Sequence, residues 1–323
     1  MPDPHPQNPI IPVIVGPTAG GKSALAMELA RVLAAQGRPA ELVSADAFQI
    51  YRRMDIGTAK PSAEEQAAVR HHLIDLIDLA EPAGSAEPFT VHDWLGLANE
   101  LTADLLARGI TPIVVGGTNL YVKAYLEGLF DAPEPSEAIR AQVAAMPQAE
   151  RRTVLQDADP EAFGRIHAAD ERRTGRALEV FLQTGTPISE LQQQWDRAKS
   201  LRPGVQLIGL DWPIEAINRR INARVKGMVE AGLVEEVRGL WEAGLFGGQA
   251  GEAIGYKQLI PHFEGGPDAP ALEACIERIK IETRRLGKNQ RTWLKRFRAV
   301  PGARWFEGAE STPGEIAQVF IFP

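Results

Sequence analysis

Two rhythms of apolar and polar positions divide the chain. Ile10-Ile-Pro-Val-Ile-Val15 is an unbroken apolar run rich in β-branched residues, which predicts a strand covered on both faces. Residues 24–35 are good helix formers throughout and predict a helix. Residues 41–44 and 73–77 predict a second and a third strand. Residues 90–107 predict a helix, with Thr90 as N-cap and Asp93 three positions later. Thr111-Pro-Ile-Val-Val115 predicts another buried strand, closed by Gly116-Gly117. Strands alternating with helices imply a parallel α/β sheet with helices on both faces. The rhythm changes after about Lys123. From there to about Ser200 the stretches are amphipathic and helical, entered at Pro133 and Pro135 and left before Pro203-Gly204. Residues 205–210 return to the sheet, and helices fill most of 214–298. The expected organisation is a discontinuous core, residues 1–122 and 200–323, interrupted by an all-helical insertion over 123–199.

The turn after the first strand carries chemistry. Gly16-Pro-Thr-Ala-Gly-Gly-Lys-Ser23 matches the phosphate-binding loop Gly-x-x-x-x-Gly-Lys-Ser in full, with the required strand before it and helix after it. Its glycines let several backbone N–H groups point at one anion, and the helix adds its positive end. Lys22 adds a full charge, and the Ser23 hydroxyl can ligate Mg²⁺. The default for such a loop is ATP, held by a P-loop kinase. Asp46, directly after the second strand, changes that picture. Carboxyl ends of strands in a doubly wound sheet meet in one crevice, which places Asp46 near the loop. A carboxylate beside a polyphosphate is repelled unless it holds a metal or takes a proton. An Asx-type turn is the plain structural alternative.

Charge supplies a further cue. The chain is acidic overall, with a net charge of -7, yet residues 278–298 hold nine Lys/Arg against one acid, Glu282. On a helix, Ile279, Leu286, Trp293 and Phe297 form one stripe. Arg284, Lys288, Arg291, Lys295 and Arg298 fall on the opposite side. A docked apolar face and an outward basic face suit a phosphodiester backbone. Composition otherwise narrows the field. At 44% hydrophobic and 24% charged the chain is globular. No apolar run reaches the roughly 18–20 residues that span a bilayer. Residues 1–9 lack the basic and apolar regions of a secretory signal and read as a short Pro-rich tail. One cysteine, Cys275, allows no disulfide within the chain and suits a reducing cytoplasm. The absence of a heptad pattern favours a monomer.

These features together resemble tRNA dimethylallyltransferases (tRNA isopentenyltransferases) of the bacterial type. The resemblance rests on the phosphate loop, Ser44-Ala-Asp46, Asp55-Ile-Gly-Thr-Ala-Lys60, His72-Leu-Ile-Asp75 and Gly116-Gly-Thr-Asn-Leu-Tyr121. Further along, it rests on Arg173-x-x-Arg176-Ala-Leu-Glu179, Ile254-Gly-Tyr-Lys257 and Gln290-Arg-Thr-Trp293. The motifs keep the family's order from about residue 10 to about residue 298. The family moves a dimethylallyl group from its diphosphate to N6 of the adenosine 3′-adjacent to the anticodon. The resemblance implies that Gly16, Pro17, Thr18, Ala19, Gly20, Gly21, Lys22 and Ser23 grip the donor's diphosphate with Mg²⁺ on Ser23, and that Arg220 adds a guanidinium. Asp46 would be the general base, with the Thr18 hydroxyl near donor and base. The anticodon stem-loop would meet Asp46, Ala47, Phe48, Gln49, Thr118, Arg140, Arg172, Arg173 and Arg176. From the core it would meet Ala253, Gly255, Tyr256, Lys257, Lys288, Gln290, Arg291, Trp293, Lys295 and Arg296, so that insertion and core together clamp it. Phe48 and Tyr51 offer stacking surface or core packing. The chain departs from the family at Ala47 (usually serine), Arg172 (usually glutamine), and Asn289 and Lys295 (usually arginine). It has no Cys/His set for the C-terminal zinc finger of eukaryotic relatives.

Other features rank lower. Adjacent His71 and His72 point apart and make a poor metal pair. Asp211, at the end of an apolar strand, is the best single residue for a kinase reading, followed by Asp75 and Asp78. Trp212, Trp241 and Trp305 read as packing. A prenyltransferase of free AMP, ADP or ATP would need neither the basic helix nor the insertion. A GTPase-like switch lacks Asn-Lys-x-Asp.

Overall fold

The structure, a computed structural model, describes residues 10–80, 89–130, 133–197 and 201–321. The Pro-rich start and the insertion's exit at Ser200 lie outside the described residues. Six strands form one parallel sheet: β1 (Ile11–Val15), β2 (Ala40–Ser44), β3 (His71–His72), β4 (Thr111–Val115), β5 (Val205–Asp211) and β6 (Arg304–Glu307), in the order β3-β2-β4-β1-β5-β6. Every position of β1 is buried, as an apolar run with no polar alternation requires when both faces are covered. α1 (Lys22–Ala35) follows the phosphate loop, then α2 (Ala63–Ala68), α3 (Val91–Ala107) and α4 (Asn119–Glu127). Leu25, Leu29 and Leu33 of α1 recur at helical spacing and enter the core beside Ile14, Ile113 and Ile208. Thr90 and Asp93 close a reciprocal capping box at the start of α3.

Contacts divide the chain into two compact units, Met1–Leu126 with Arg202–Pro323, and Glu127–Leu201. The second unit holds α5 (Glu137–Ala145), α6 (Gln148–Ala158), α7 (Pro160–Arg165), α8 (Glu171–Thr184) and α9 (Ile188–Arg197) around Val143, Leu155, Leu178 and Val180. Buried Asp159 fastens two of these helices: it caps α7 at Ala162 N (2.9 Å) and accepts from the Ser189 amide (2.9 Å) and hydroxyl (2.7 Å) on α9. In the first unit, α10 (Ile214–Glu230), α11 (Leu233–Glu242), α12 (Ile260–Glu264), α13 (Leu272–Phe297) and α14 (Pro313–Ile321) complete the fold.

Two sequence expectations need correction here. The third strand is His71–His72, not 73–77, because Leu73 (φ 58) and Asp75 (φ 54) adopt left-handed backbone that no strand can continue. Lys60, 3% exposed at its side chain, holds that bend through Asp75 (2.6 Å), Asp55 (2.6 Å) and the Tyr51 carbonyl (2.8 Å). β6 and α14 were not anticipated. Trp305 of β6 stands across from Gly209 of β5, where a Cβ would lie 2.4 Å from the indole, so that glycine admits the ring.

Candidate active site

The phosphate loop is fixed from outside by its own carbonyls. Lys22 Nζ donates to the Gly16 (3.1 Å) and Pro17 (2.9 Å) carbonyls, Arg220 Nε to Ala19 (2.8 Å), and Trp212 Nε1 to Gly20 (3.0 Å). Arg220 also lies over the Trp212 ring, 4.5 Å from its centroid. Trp212 therefore does more than pack. Ala19 (φ 59) and Gly21 (φ 88) take left-handed backbone, which curls the loop into the start of α1. The first amides of α1 have no intrahelical acceptor, which leaves them suited to an anion. A cavity of about 400 Å³ is lined by Ala19 to Ala24, Arg220, Ala223 and Arg224.

Arg224 joins the predicted set from one turn beyond Arg220 on α10. The i, i+4 spacing in Arg219-Arg-Ile-Asn-Ala-Arg224 was the available signal. Burial lowers the Arg224 guanidinium from its ordinary value, with Asp46 opposing. Lys22 is pulled down to about 8, first by burial, then by the positive charge of Arg224, again against Asp46.

Asp46 makes the turn that its sequence position allows. Oδ1 accepts the amides of Phe48 (2.9 Å) and Gln49 (3.3 Å), closing an Asx-type turn. Oδ2 lies 3.8 Å from where a Gly117 Cβ would stand. The ends of β2 and β4 meet there: a Cβ at Gly116 would fall 2.1 Å from the Ala45 carbonyl oxygen, so only glycine permits the approach. Buried Tyr121 stacks on Trp94 (4.8 Å) beneath this point, and burial, Tyr51 and then Asp46 raise its hydroxyl above the ordinary tyrosine range.

Several residues expected to touch a nucleic acid also have partners within the protein. The Thr118 hydroxyl accepts from Ala47 N (2.9 Å), which laces the two strand-end loops together. Gln49 donates to the Thr58 (3.3 Å) and Ala59 (3.1 Å) carbonyls and accepts from Ser44 (2.9 Å). Ala253 and Tyr256 are core members at 2% and 0% exposure, and Tyr256 donates to Glu236 at 2.6 Å. Gln290 is 4% exposed, with its amide bonded to Thr18 N and the Gly117 carbonyl. The helical stripe on α13 is also rotated: Leu286 is 38% exposed, while Gln290 and Leu294 are buried. On the outward face, Lys288 and Lys295 are exposed and Arg291 and Trp293 half-buried. Lys257 is exposed beside Glu252 (3.4 Å), next to Gly255 (φ 102). In the helical unit, Arg172 and Arg173 are exposed at the start of α8, and Arg176 and Arg140 lie near Glu179 (3.8 Å) and Glu134 (3.6 Å).

Asp211 pairs with Arg298, which lies over Trp305 at 4.4 Å; the residue that would serve a kinase is engaged in a structural ion pair. His72 bonds Glu41 (2.6 Å) and His71 the Val69 carbonyl (2.8 Å), and no metal-binding group of three or more His/Cys/Asp/Glu occurs among the described residues.

Fold and site together define a P-loop α/β protein whose loop borders a cavity lined by Lys22, Arg220 and Arg224. The IPP transferase family model matches residues 49–297. A tRNA dimethylallyltransferase of Geobacillus kaustophilus is 43% identical over 304 residues, covering 92% of this chain and 90% of the relative. That of Shouchella clausii is 41% identical over 321 residues, covering 98% and 96%. A solved eukaryotic dimethylallyltransferase acting on tRNA superposes with a TM-score of 0.79 at 25% identity, covering 97% of this chain and 78% of its own. The tRNA isopentenylpyrophosphate transferase of Bacillus halodurans gives 0.65 at 34% identity, covering 97% and 95%. The chain belongs to the IPP transferase family, and is a transferase.

Proposed function

We propose that this protein transfers a dimethylallyl group from dimethylallyl diphosphate to N6 of the adenosine 3′-adjacent to the anticodon in tRNA. The products are N6-dimethylallyladenosine and diphosphate. The observation that supports the reading is Gln290 bonded both to Thr18 N of the phosphate loop and to the Gly117 carbonyl beside Asp46, with Lys22, Arg220 and Arg224 lining the cavity at the loop. In the transfer, the allylic C–O bond to diphosphate breaks as the N6–C bond forms. The oxygen leaves with the electron pair, and its growing charge meets the loop amides and the cations. The N6 proton passes to Asp46 Oδ2, while Oδ1 stays bound to its turn. The adenine reaches the crevice only once flipped from its stack.

The donor set near the loop suits a metal that arrives with the diphosphate: Ser23 is exposed in the cavity wall, and among the described residues no group of three or more His/Cys/Asp/Glu could hold one by itself. Ser23 would hold Mg²⁺, which supplies positive charge to the leaving group. The exposed arginines of α8 and the lysines of α13 support recognition of the anticodon stem-loop. No helix among the described residues is long and apolar enough to cross a membrane. The sole thiol, Cys275, is buried, in keeping with work in the reducing cytoplasm. Among the described residues the large exposed apolar side chains are Leu76, in a loop, and Leu97, Leu120, Ile214, Leu286 and Val319, each on a different helix, a dispersion that supports a monomer.

The decisive experiment incubates the protein with labelled dimethylallyl diphosphate and unmodified tRNA, followed by nucleoside mass spectrometry. A dimethylallyl adduct on adenosine is expected. ATP consumption with a phosphorylated product would instead make it a kinase.

A further inference from the structure

One planar amide spans the two halves of this crevice. Gln290, in the buried face of α13, accepts from Thr18 N on the phosphate loop at 2.8 Å through Oε1. Its Nε2 donates to the Gly117 carbonyl at 3.0 Å. A Cβ placed on Gly117 would lie 3.3 Å from that Nε2 and 3.8 Å from Asp46 Oδ2. The loop that holds the leaving group and the strand end that backs the base are therefore tied to the same side chain. A carboxamide offers an acceptor and a donor at once, which the bridge requires. A hydrocarbon of equal length offers neither.

We infer that Gln290 is a positioning residue for prenyl transfer, setting the separation between the donor's diphosphate and Asp46. The inference rests on the prenyl-transfer reading above. Its chemical basis is the steep dependence of rate on the placement of reacting atoms, where about 1 Å of misplacement can cost on the order of 10²-fold. Thr18 is held through its backbone amide, so the bridge fixes the loop and leaves the threonine hydroxyl available to the reaction.

The test compares the full-length wild type with Gln290→Met and Gly117→Ala, using unmodified tRNA and dimethylallyl diphosphate. Gln290→Met keeps length and removes both hydrogen bonds. Gly117→Ala leaves the amide in place and presses on it from the far side. We expect kcat to fall by about tenfold or more in Gln290→Met, and by less in Gly117→Ala. KM for tRNA and tRNA affinity by filter binding should stay within about twofold of wild type. A raised KM for tRNA with kcat intact would overturn the inference in favour of direct tRNA contact. Wild-type kcat in both variants would overturn it outright. Should Gln290→Met fail to fold, Gly117→Ala decides alone, by the same split between kcat and KM. A wild type that makes no dimethylallyladenosine would overturn the underlying function, an outcome distinct from a loss seen only in the variants.

Discussion

Two loops beyond the carboxyl end of the sheet have backbone amides suited to an anion, and they differ in which side chains face them. In the segment after β2, the amides of Asp55 (3.1 Å), Ile56 (2.8 Å) and Gly57 (3.2 Å) all donate to Glu236 of α11. The Tyr256 hydroxyl joins them at 2.6 Å, its ring standing where a Gly57 Cβ would be. That nest is satisfied by the chain itself. In the loop after β1, the facing side chains are Lys22, Arg220 and Arg224. Cations opposite amides favour charge from outside, because positive groups held together in a partly buried wall are costly alone. The same backbone device is structural where a carboxylate faces it and functional where cations do.

Asp46→Asn breaks the functional side most severely. Asparagine keeps an oxygen for the Phe48 and Gln49 amides, so the turn survives while the proton acceptor is lost. Single-turnover transfer should slow by about 10²–10⁴-fold, with tRNA affinity unchanged. An unaltered rate would remove Asp46 from the chemistry. Lys22→Met should come next. Calorimetry with inorganic diphosphate should show affinity reduced by roughly ten- to a hundredfold, as loss of a charge-assisted hydrogen bond implies. The sign of the pH effect follows from the lysine. Its ammonium is lowered to about 8, so it is charged below that pH and neutral above. Diphosphate restores the charged form, so the ratio of wild-type to Lys22→Met affinity, in which the ligand's own ionisation cancels, should be flat below pH 8 and shrink above it.

The same contrast explains what was legible in the amino-acid order. The loop after β1 is a local device, complete within Gly16–Ser23, and its sequence specifies its geometry. Asp46 was legible because the topology of a parallel sheet brings strand ends together. The second nest was not, since Glu236 and Tyr256 lie some 180 and 200 residues beyond the loop they fill. The bonds of Gln290 were not legible for a related reason: its partners, Thr18 and Gly117, lie far from it along the chain. Leu73–Ile77 read as a strand because periodicity does not register the left-handed turns that a buried Lys60 stabilises. β6 was missed because four residues carry too little pattern, and only Gly209 opposite Trp305 marks their place.

The structural nest gives the complementary test. Glu236→Ala leaves the three amides and the Tyr256 hydroxyl without their acceptor, and should cost about 1–3 kcal/mol of stability in denaturant unfolding. Inorganic diphosphate affinity should remain within about twofold. A large loss of diphosphate binding with stability intact would reverse the assignment of the two nests.

The smallest effect concerns the basic helix, where the structure separates cations that the sequence groups together. Arg284 donates to Asn222 (2.6 Å) and approaches Glu277 (3.6 Å), and Arg298 is paired with Asp211. Lys288 and Lys295 are exposed on the outward face. A phosphate contact releases a counterion only when a cation meets the nucleic acid, so committed arginines contribute little to the salt dependence. Replacing Lys288 and Lys295 together by alanine should make the slope of log affinity for tRNA against log salt shallower by about 1–2. Arg284→Ala should leave that slope unchanged. If Arg284→Ala flattens it as much as the double variant, the ion pairs give way on binding, and the whole basic face, rather than its free lysines, meets the RNA.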